Sequence, residues 1–178
     1  MRRRHVRDLG ALRLAGDAAP MRKQVVEAAK LIRHRGPDWS GVYCEGSAII
    51  AHERLAIVDP DSGDQPLFNE EKSIVLGVNG EIYNYEDLQD SLELRAPGKH
   101  KFLTKSDCEV LLHLYAQDGV DFLSKNTVCG MYAFAIWDKR TSTYLVARDP
   151  VGIIPLYIGW AKDGSVQVAS ELKALHKA

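Results

Sequence analysis

Ser73-Ile74-Val75-Leu76-Gly77-Val78-Asn79-Gly80-Glu81-Ile82-Tyr83-Asn84 is the stretch from which the fold is read. Its first half is a β-rich apolar run. Asn79-Gly80 predicts that the run breaks there into a polar turn opening toward Tyr85-Glu86-Asp87-Leu88, so that the strand ends at Asn79. A strand end of this kind presents polar groups to a ligand. Gly80 lets the backbone approach a substrate closely, and its N–H beside the Asn79 side-chain amide supplies two donors that can converge on one developing oxyanion. Glu81 adds a negative charge next to them. The plainer alternative is an ordinary hairpin turn, because Asn-Gly is among the commonest turn dipeptides.

On the C-terminal side, Tyr85 to about Leu94 reads as a helix, and Arg95 to Lys105 (RAPGKHKFLTK) as a basic loop. Ser106-Asp107-Cys108-Glu109 has capping-box form before a helix that begins at Val110, where Asp107 is a favourable charge in a first turn. Asp121 to Gly130 (DFLSKNTVCG) has no regular pattern. Met131–Trp137, Thr143–Ala147, Leu156–Gly159 and Val166–Ala169 read as strands, joined by turn signals at Asp138-Lys139, Asp149-Pro150 and Asp163-Gly164. A helix begins at Ser170-Glu171-Leu172.

On the N-terminal side, Asp59 to Gln65 is a turn-rich loop that leads through Pro66-Leu67-Phe68 into the central run. Ser47 to Val58 alternates as a strand with a charged interruption, His52-Glu53-Arg54. Arg54 there is either one half of a salt bridge at a strand end or a planar fork for a carboxylate. His52 reads as a packed histidine. Tyr43-Cys44-Glu45-Gly46 is turn-like. From Pro20 the spacing of Met21, Val25, Val26, Ala29 and Ile32 predicts a helix, with Arg33 to Arg35 at its far end and Gly36-Pro37 stopping it. Arg35 and Asp38 are a C-terminal cap and turn on this pattern alone. Met1 to Gly16 has no clear period, which predicts an atypical segment with little order at its beginning.

The chain has 178 residues and a formal net charge of −1, which fits one domain able to bury its own core and gives no hint of a nucleic-acid or membrane partner. No apolar run reaches the length of a bilayer. The basic start has no apolar signal-peptide core behind it, so the expected compartment is the cytoplasm, an Arg-rich transit peptide being the alternative. Cys44, Cys108 and Cys129 are too few and too scattered for a disulfide framework, and no zinc spacing accompanies them.

Arg33-His34-Arg35-Gly36-Pro37-Asp38-Trp39-Ser40-Gly41, Ala51-His52-Glu53-Arg54-Leu55-Ala56-Ile57-Val58-Asp59, Gln65-Pro66-Leu67, the Asn79-Gly80-Glu81 stretch and Ser106-Asp107-Cys108-Glu109 occur in one order. From about Met21 to the end, this chain closely resembles the N-terminal glutaminase domain of glutamine-hydrolysing asparagine synthetases, class II glutamine amidotransferases of the N-terminal-nucleophile hydrolase type. The resemblance implies an α+β fold, a four-layer αββα sandwich of two mainly antiparallel sheets flanked by helices. It implies L-glutamine as substrate, with Arg54 on the α-carboxylate, Asp107 on the α-ammonium, Glu81 helping to place the molecule, Asn79 and Gly80 as oxyanion hole, and Arg35 and Asp38 shaping the pocket. Arg148-Asp149 with Gly152 and Pro155-Leu156 is a further family signature, read as scaffold. The domain itself needs no cofactor or metal. In the family MgATP and aspartate belong to a synthetase domain, which receives the ammonia; here the chain ends near Leu175, about where that half would begin, so a fragment is expected. That domain and a possible homodimer are the macromolecular partners implied.

Two segments depart from the family pattern. Ser124-Lys125-Asn126-Thr127 intrudes with about two extra residues where the family has a short acidic link. More consequential is the start, because the family's nucleophile is a cysteine that follows the initiator methionine and becomes the N-terminal residue, its α-amino group serving as base. Here Arg2 follows Met1 and no cysteine occurs before Cys44. Cys44 and Cys129 each carry a peptide nitrogen where that base should be. His5 to Leu12 can be encoded so that reading one base later gives Met-Cys-Gly-Ile-Leu-Ala-Leu, the opening the family has, which points to a frame error in the first dozen residues. As written, the chain is expected to bind glutamine without hydrolysing it. The alternatives are a degenerate glutamine-binding or regulatory module and the glutaminase half of a glucosamine-phosphate or purine-pathway enzyme.

Overall fold

The computed structural model describes the backbone of residues 7–12, 17–37, 39–54 and 65–175, and the side chains of all of these except residues 7–12 and Arg54. In chain order the elements are β1 (Arg7–Leu12), α1 (Arg22–Lys30), β2 (Trp39–Glu45), β3 (Ala48–Arg54), β4 (Leu67–Phe68), β5 (Ile74–Ile82), α2 (Tyr85–Arg95), α3 (Val110–Asp118), α4 (Phe122–Lys125), β6 (Gly130–Asp138), β7 (Thr143–Arg148), β8 (Tyr157–Trp160), β9 (Val166–Ala169) and α5 (Leu172–Leu175). Short 3₁₀ turns at Ala19–Met21, Arg33–Arg35, Asp107–Glu109 and Gly119–Asp121 join or extend the helices.

The strands form two sheets, one in the order β2-β3-β1-β9-β8 and the other in the order β4-β5-β6-β7. All pairings are antiparallel. Strand alternation then sorts the side chains into layers. Ile74, Leu76, Val78 and Ile82 of β5 join Tyr132, Phe134 and Ile136 of β6 in one cluster with Leu88 and Leu92 of α2, Leu111 and Leu114 of α3, and Phe122. The opposite faces carry Val75 and Trp137, which meet Tyr43, Ala48 and Ile50 of the other sheet. Beyond that sheet, Ile49 and Ala51 pack on Val25, Ala28 and Ile32 at α1 and on Ala174 of α5. Helices therefore cover the outer face of each sheet, and β5, buried on both sides, reads as a near-continuous apolar run.

The strand at the centre of the reading is longer than the sequence predicts. β5 does not end at Asn79: the ladder continues through Gly80↔Tyr132 and Glu81↔Met131 to Ile82↔Gly130. Asn-Gly is used here for close backbone approach, not for a turn. Gly80 has φ +146°, and a Cβ there would lie 2.0 Å from the Met131 carbonyl oxygen. Gly130 answers it on the partner strand, where a Cβ would lie 2.3 Å from the Glu81 oxygen. The turn comes at Tyr83-Asn84, closed by Tyr83 N–H donating to the Cys129 carbonyl and by the Asn84 side chain, which accepts from Cys129 N–H and donates to the Thr127 carbonyl.

Two further expectations are corrected. Arg7–Leu12, assigned to a segment with little order at its beginning, form β1 in the middle of a sheet, paired with β3 on one side and β9 on the other. Residues 1–6 and 13–16 lie outside the described residues. Tyr43-Cys44-Glu45 is not a turn but the end of β2; the turn is Gly46-Ser47, with Gly46 at φ +59°. The irregular stretch before β6 packs through Phe122, which is fully buried, and through Asn126, whose amide donates to Asp118 Oδ2 and to the Phe122 carbonyl. Arg95 completes that junction by donating to Asp118 and to Asn126.

Candidate functional site

The C-terminal end of β5 gathers most of the residues picked out in the sequence. Asn79 lies on the side of β5 that faces the other sheet, is 1% exposed, and finds no hydrogen-bond partner for Oδ1 or Nδ2 among the described residues. A buried amide with neither group satisfied is uncommon, because each unpaired polar atom carries its desolvation cost. Such a group is kept where a ligand or an ordered water completes it. Gly80 and Glu81 follow on the same strand, both half-buried.

Asp107 reaches this strand end from the 3₁₀ turn that precedes α3. Its Oδ2 accepts the Ile82 N–H at 2.6 Å, so the carboxylate is fixed beside Glu81 and Ile82 while its other oxygen is uncommitted by that bond. The neighbouring Cys108 thiol contacts the Gly80 carbonyl at 3.7 Å and Asp107 Oδ2 at 3.6 Å, which ties the turn to the strand a second time. The capping box expected at Ser106–Glu109 is not formed. Ser106 makes no side-chain cap bond, and the Glu109 carboxylate turns back to accept the Leu103 and Thr104 N–H groups at 2.6 and 2.7 Å. One carboxylate thereby satisfies two loop donors at once. Burial works to raise the Glu109 pKa, but the His113 contact and the Leu103 and Thr104 donors outweigh it and hold the carboxyl below its ordinary range.

Gln65 is the structural member of the site whose role the sequence did not reveal. Its buried side chain accepts the Val78 N–H at 2.8 Å and donates to the Val78 carbonyl at 2.9 Å, mimicking a strand partner for the residue just before Asn79. β2 crosses its backbone so closely that a Cβ on Gly41 would lie 1.8 Å from the Gln65 oxygen. The only sequence signal was the Gln65-Pro66-Leu67 motif, which carried family likeness without a mechanism.

The remaining candidates fall elsewhere or outside the description. Arg54 ends β3 opposite Trp39 of β2, and its side chain lies outside the described residues, as does the whole of Asp38. Arg35 sits in its 3₁₀ turn with the guanidinium 2.7 Å from Glu171, just after β9. Burial tends to raise the Glu171 pKa, and Lys173, Arg35 and His34 together pull it below the usual carboxylate range. His52 is fully buried on β3. Asp149, in the family signature, is used by the scaffold: its carboxylate accepts the Ile153 and Ile154 N–H groups, and these bonds overcome burial and keep its pKa low.

None of the three cysteines is in a disulfide. Cys44 lies on the helix-facing side of β2 beside α1, and burial pushes its pKa up, the opposite of what a nucleophile needs. Cys129 is exposed and reaches the site end of β5 through its backbone bonds to Tyr83 and Asn84, but its nitrogen is a peptide N–H engaged with Asn84. β1 begins at Arg7 opposite Glu53, so the head of β1 lies at the same end of its sheet as Arg54. β1 also lies against β5 across the sandwich. Among the described residues no group of three or more His, Cys, Asp or Glu side chains is placed to hold a metal, and no helix is long and apolar enough to cross a membrane.

Comparison with known proteins accounts for nearly the whole chain. A model of the glutamine amidotransferase domain matches residues 10–178. A glutamine-hydrolysing asparagine synthetase of Brassica oleracea is 51% identical over 169 residues, covering 95% of this chain and 28% of that protein. A probable glutamine-hydrolysing asparagine synthetase of Dictyostelium discoideum is 48% identical over 167 residues, 94% of this chain and 29% of its own. The chain thus spans a little over a quarter of the length of the curated relatives it matches. Among solved structures, the glutamine phosphoribosylpyrophosphate amidotransferase of B. subtilis superposes with a TM-score of 0.71 at 25% identity, over 97% of this chain and 43% of that one. The chain belongs to the glutamine amidotransferase domain family, as a class II member closely related to the asparagine synthetases.

Proposed function

We propose that this chain is the glutamine-binding half of an asparagine synthetase, built on the αββα sandwich of N-terminal-nucleophile hydrolases. The observation that carries the reading is the orphaned amide of Asn79 beside Gly80 at the end of β5. In this arrangement the glutamine side-chain carbonyl takes Asn79 Nδ2 and the Gly80 N–H. Its α-ammonium takes the Asp107 oxygen not used by Ile82, with Glu81 adding negative charge. Arg54, at the end of β3, takes the α-carboxylate by a two-pronged contact. Arg35, anchored on Glu171, shapes the pocket together with Asp38. The cytoplasm is the compartment that fits this role. MgATP and aspartate are assigned to no residue of this chain; in the full-length enzyme they belong to the synthetase domain, which takes up the ammonia.

Hydrolysis needs a thiolate to attack the amide carbon, an amine to carry its proton to the departing ammonia, and water to clear the thioester. The sequence holds no cysteine before Cys44. Read one base later, the opening places a cysteine immediately ahead of β1, whose head sits at the Arg54 end of the sheet. On the frame reading, the thiol belongs to the Arg54 end of the proposed pocket, and the pairing at the head of β1 supports that reading. The absence of a cysteine in the first 43 residues favours a second reading, a binding or regulatory module that holds glutamine without turning it over. Intact mass and N-terminal sequencing of the protein from its native source separate the two. A chain beginning Cys-Gly-Ile is a working glutaminase, whereas one beginning with Met1 or Arg2 is a binding module.

A further inference from the structure

The backbone of β5 turns alternate residues to its two sides. Tyr83 N–H goes to Cys129 on the β6 side, while Val78 and Ile82 donate on the other, the side where β4 lies. Each group along that second side is met differently. Leu76 stands opposite Leu67 of β4, and the same register puts Gln65 opposite Val78, yet β4 begins only at Leu67. There the Gln65 side chain replaces a backbone: it accepts the Val78 N–H at 2.8 Å and donates to the Val78 carbonyl at 2.9 Å. The Ile82 N–H is taken by Asp107 at 2.6 Å, and the Gly80 carbonyl is touched by the Cys108 thiol at 3.7 Å. The Gly80 N–H lies between these points, and among the described residues neither strand neighbour meets it. β4 has stopped, and Tyr132, opposite Gly80 on β6, turns its carbonyl to the Asp149 N–H instead. We infer that Gln65 is a positioning residue for the ligand's side-chain carbonyl, because it ends the β4 side of the strand at Val78 and so leaves the Gly80 N–H open.

A backbone partner carried further along β5 would cap the Gly80 N–H as regularly as it caps Leu76. A side-chain amide satisfies one residue and stops. The same two bonds hold Val78 in register, so Asn79 and Gly80 both follow directly on a pinned residue. The amide has one workable orientation: turned over, it would set oxygen against the Val78 carbonyl and NH₂ against the Val78 N–H. Gln65 is 7% exposed and is backed by β2, where a Cβ on Gly41 would lie 1.8 Å from its main-chain oxygen.

This role deepens the glutaminase reading and rests on it. The test is calorimetric titration of the whole chain, wild type and Gln65→Leu, with L-glutamine and with L-norvaline, which has the same α-amino and α-carboxylate groups and no side-chain carbonyl. The expected result is that the variant lowers the ratio of glutamine to norvaline affinity about tenfold while its norvaline affinity stays that of the wild type. A residue that only stabilised the fold would lower both affinities together or neither. In isotope-labelled wild type, the Gly80 amide proton is expected to behave as unbonded without ligand and to move downfield with glutamine but not with norvaline. An unchanged ratio in the variant, a parallel loss of both ligands, or a Gly80 amide already hydrogen-bonded in the unliganded wild type overturns the inference. The Gly80 signal is read on the wild type, so it decides the matter even where the variant fails to fold. A wild type that binds neither amino acid sinks the glutaminase reading and this role with it, whereas glutamine binding with an unchanged ratio sinks this role alone.

Discussion

Asn69, just before β5, and Asn79, within it, are both buried asparagines, and they are treated in opposite ways. Before β5, Asn69 is fully employed: Oδ1 accepts the Ser73 and Ile74 N–H groups at 2.8 Å each, and Nδ2 donates to Glu71 and Ser73. In the C-terminal half of β5, Asn79 has nothing on either atom among the described residues. The first is a turn built from a side chain, and its burial is explained by the fold alone. The second is explained by nothing among the described residues, which is why it carries the proposed site. Glu109 belongs with Asn69, a buried carboxylate whose partners are all structural. Composition does not separate these cases; satisfaction does.

The comparison breaks most visibly at Gly80, where the site end of β5 depends on a glycine. Gly80→Ala sets a Cβ against the Met131 carbonyl at a φ of +146°, and the expected loss is about 3 kcal/mol or more of stability, read by denaturant unfolding. Asn69→Ala strands one buried and one half-buried N–H group and costs about 2 kcal/mol, with glutamine affinity unchanged in a titration.

Acid acts through Glu109 in a defined window. Its folded pKa lies below the ordinary 4.5, so its contribution is present above that pH and is lost as the pH falls through the depressed value. Glu109→Gln therefore lowers stability at neutral pH and flattens the fall below pH 4.5, measured as unfolding midpoints across the range. The smallest stability effect is the most informative. Asn79→Ala should stay within about 1 kcal/mol of the wild type, because it removes no hydrogen bond to the described residues, while weakening the proposed site. A large loss there would make Asn79 structural, like Asn69.

The same contrast explains what was legible in the sequence. β5, β6, β7 and β9 could be read because their alternation or continuous apolarity reports burial directly, and α1 and α2 because their spacing does. β1 could not: Arg-Asp-Leu-Gly-Ala-Leu has no period of its own, and its strand form comes from two distant partners, β3 and β9. The Asn79-Gly80 turn was misplaced for a related reason, since the close approach of Gly80 to the Met131 carbonyl depends on a strand some fifty residues away. Ser106–Glu109 had the right letters for a capping box, yet Glu109 found two better donors in a loop. Asn79 was singled out by its place beside Gly80, and Asp107 by family likeness. Gln65 was not, because its role is three-dimensional: it acts as a false strand partner to Val78.

The central claim is that the end of β5 is a glutamine pocket, and calorimetric titration of L-glutamine into protein beginning at Met1, with ammonia followed in the same cell, tests it most directly. The account predicts saturable binding with no ammonia released, and at least about tenfold weaker binding for Asp107→Asn, which keeps an acceptor for the Ile82 N–H but removes the charge. Absence of binding, or equal affinity in the variant, would contradict it.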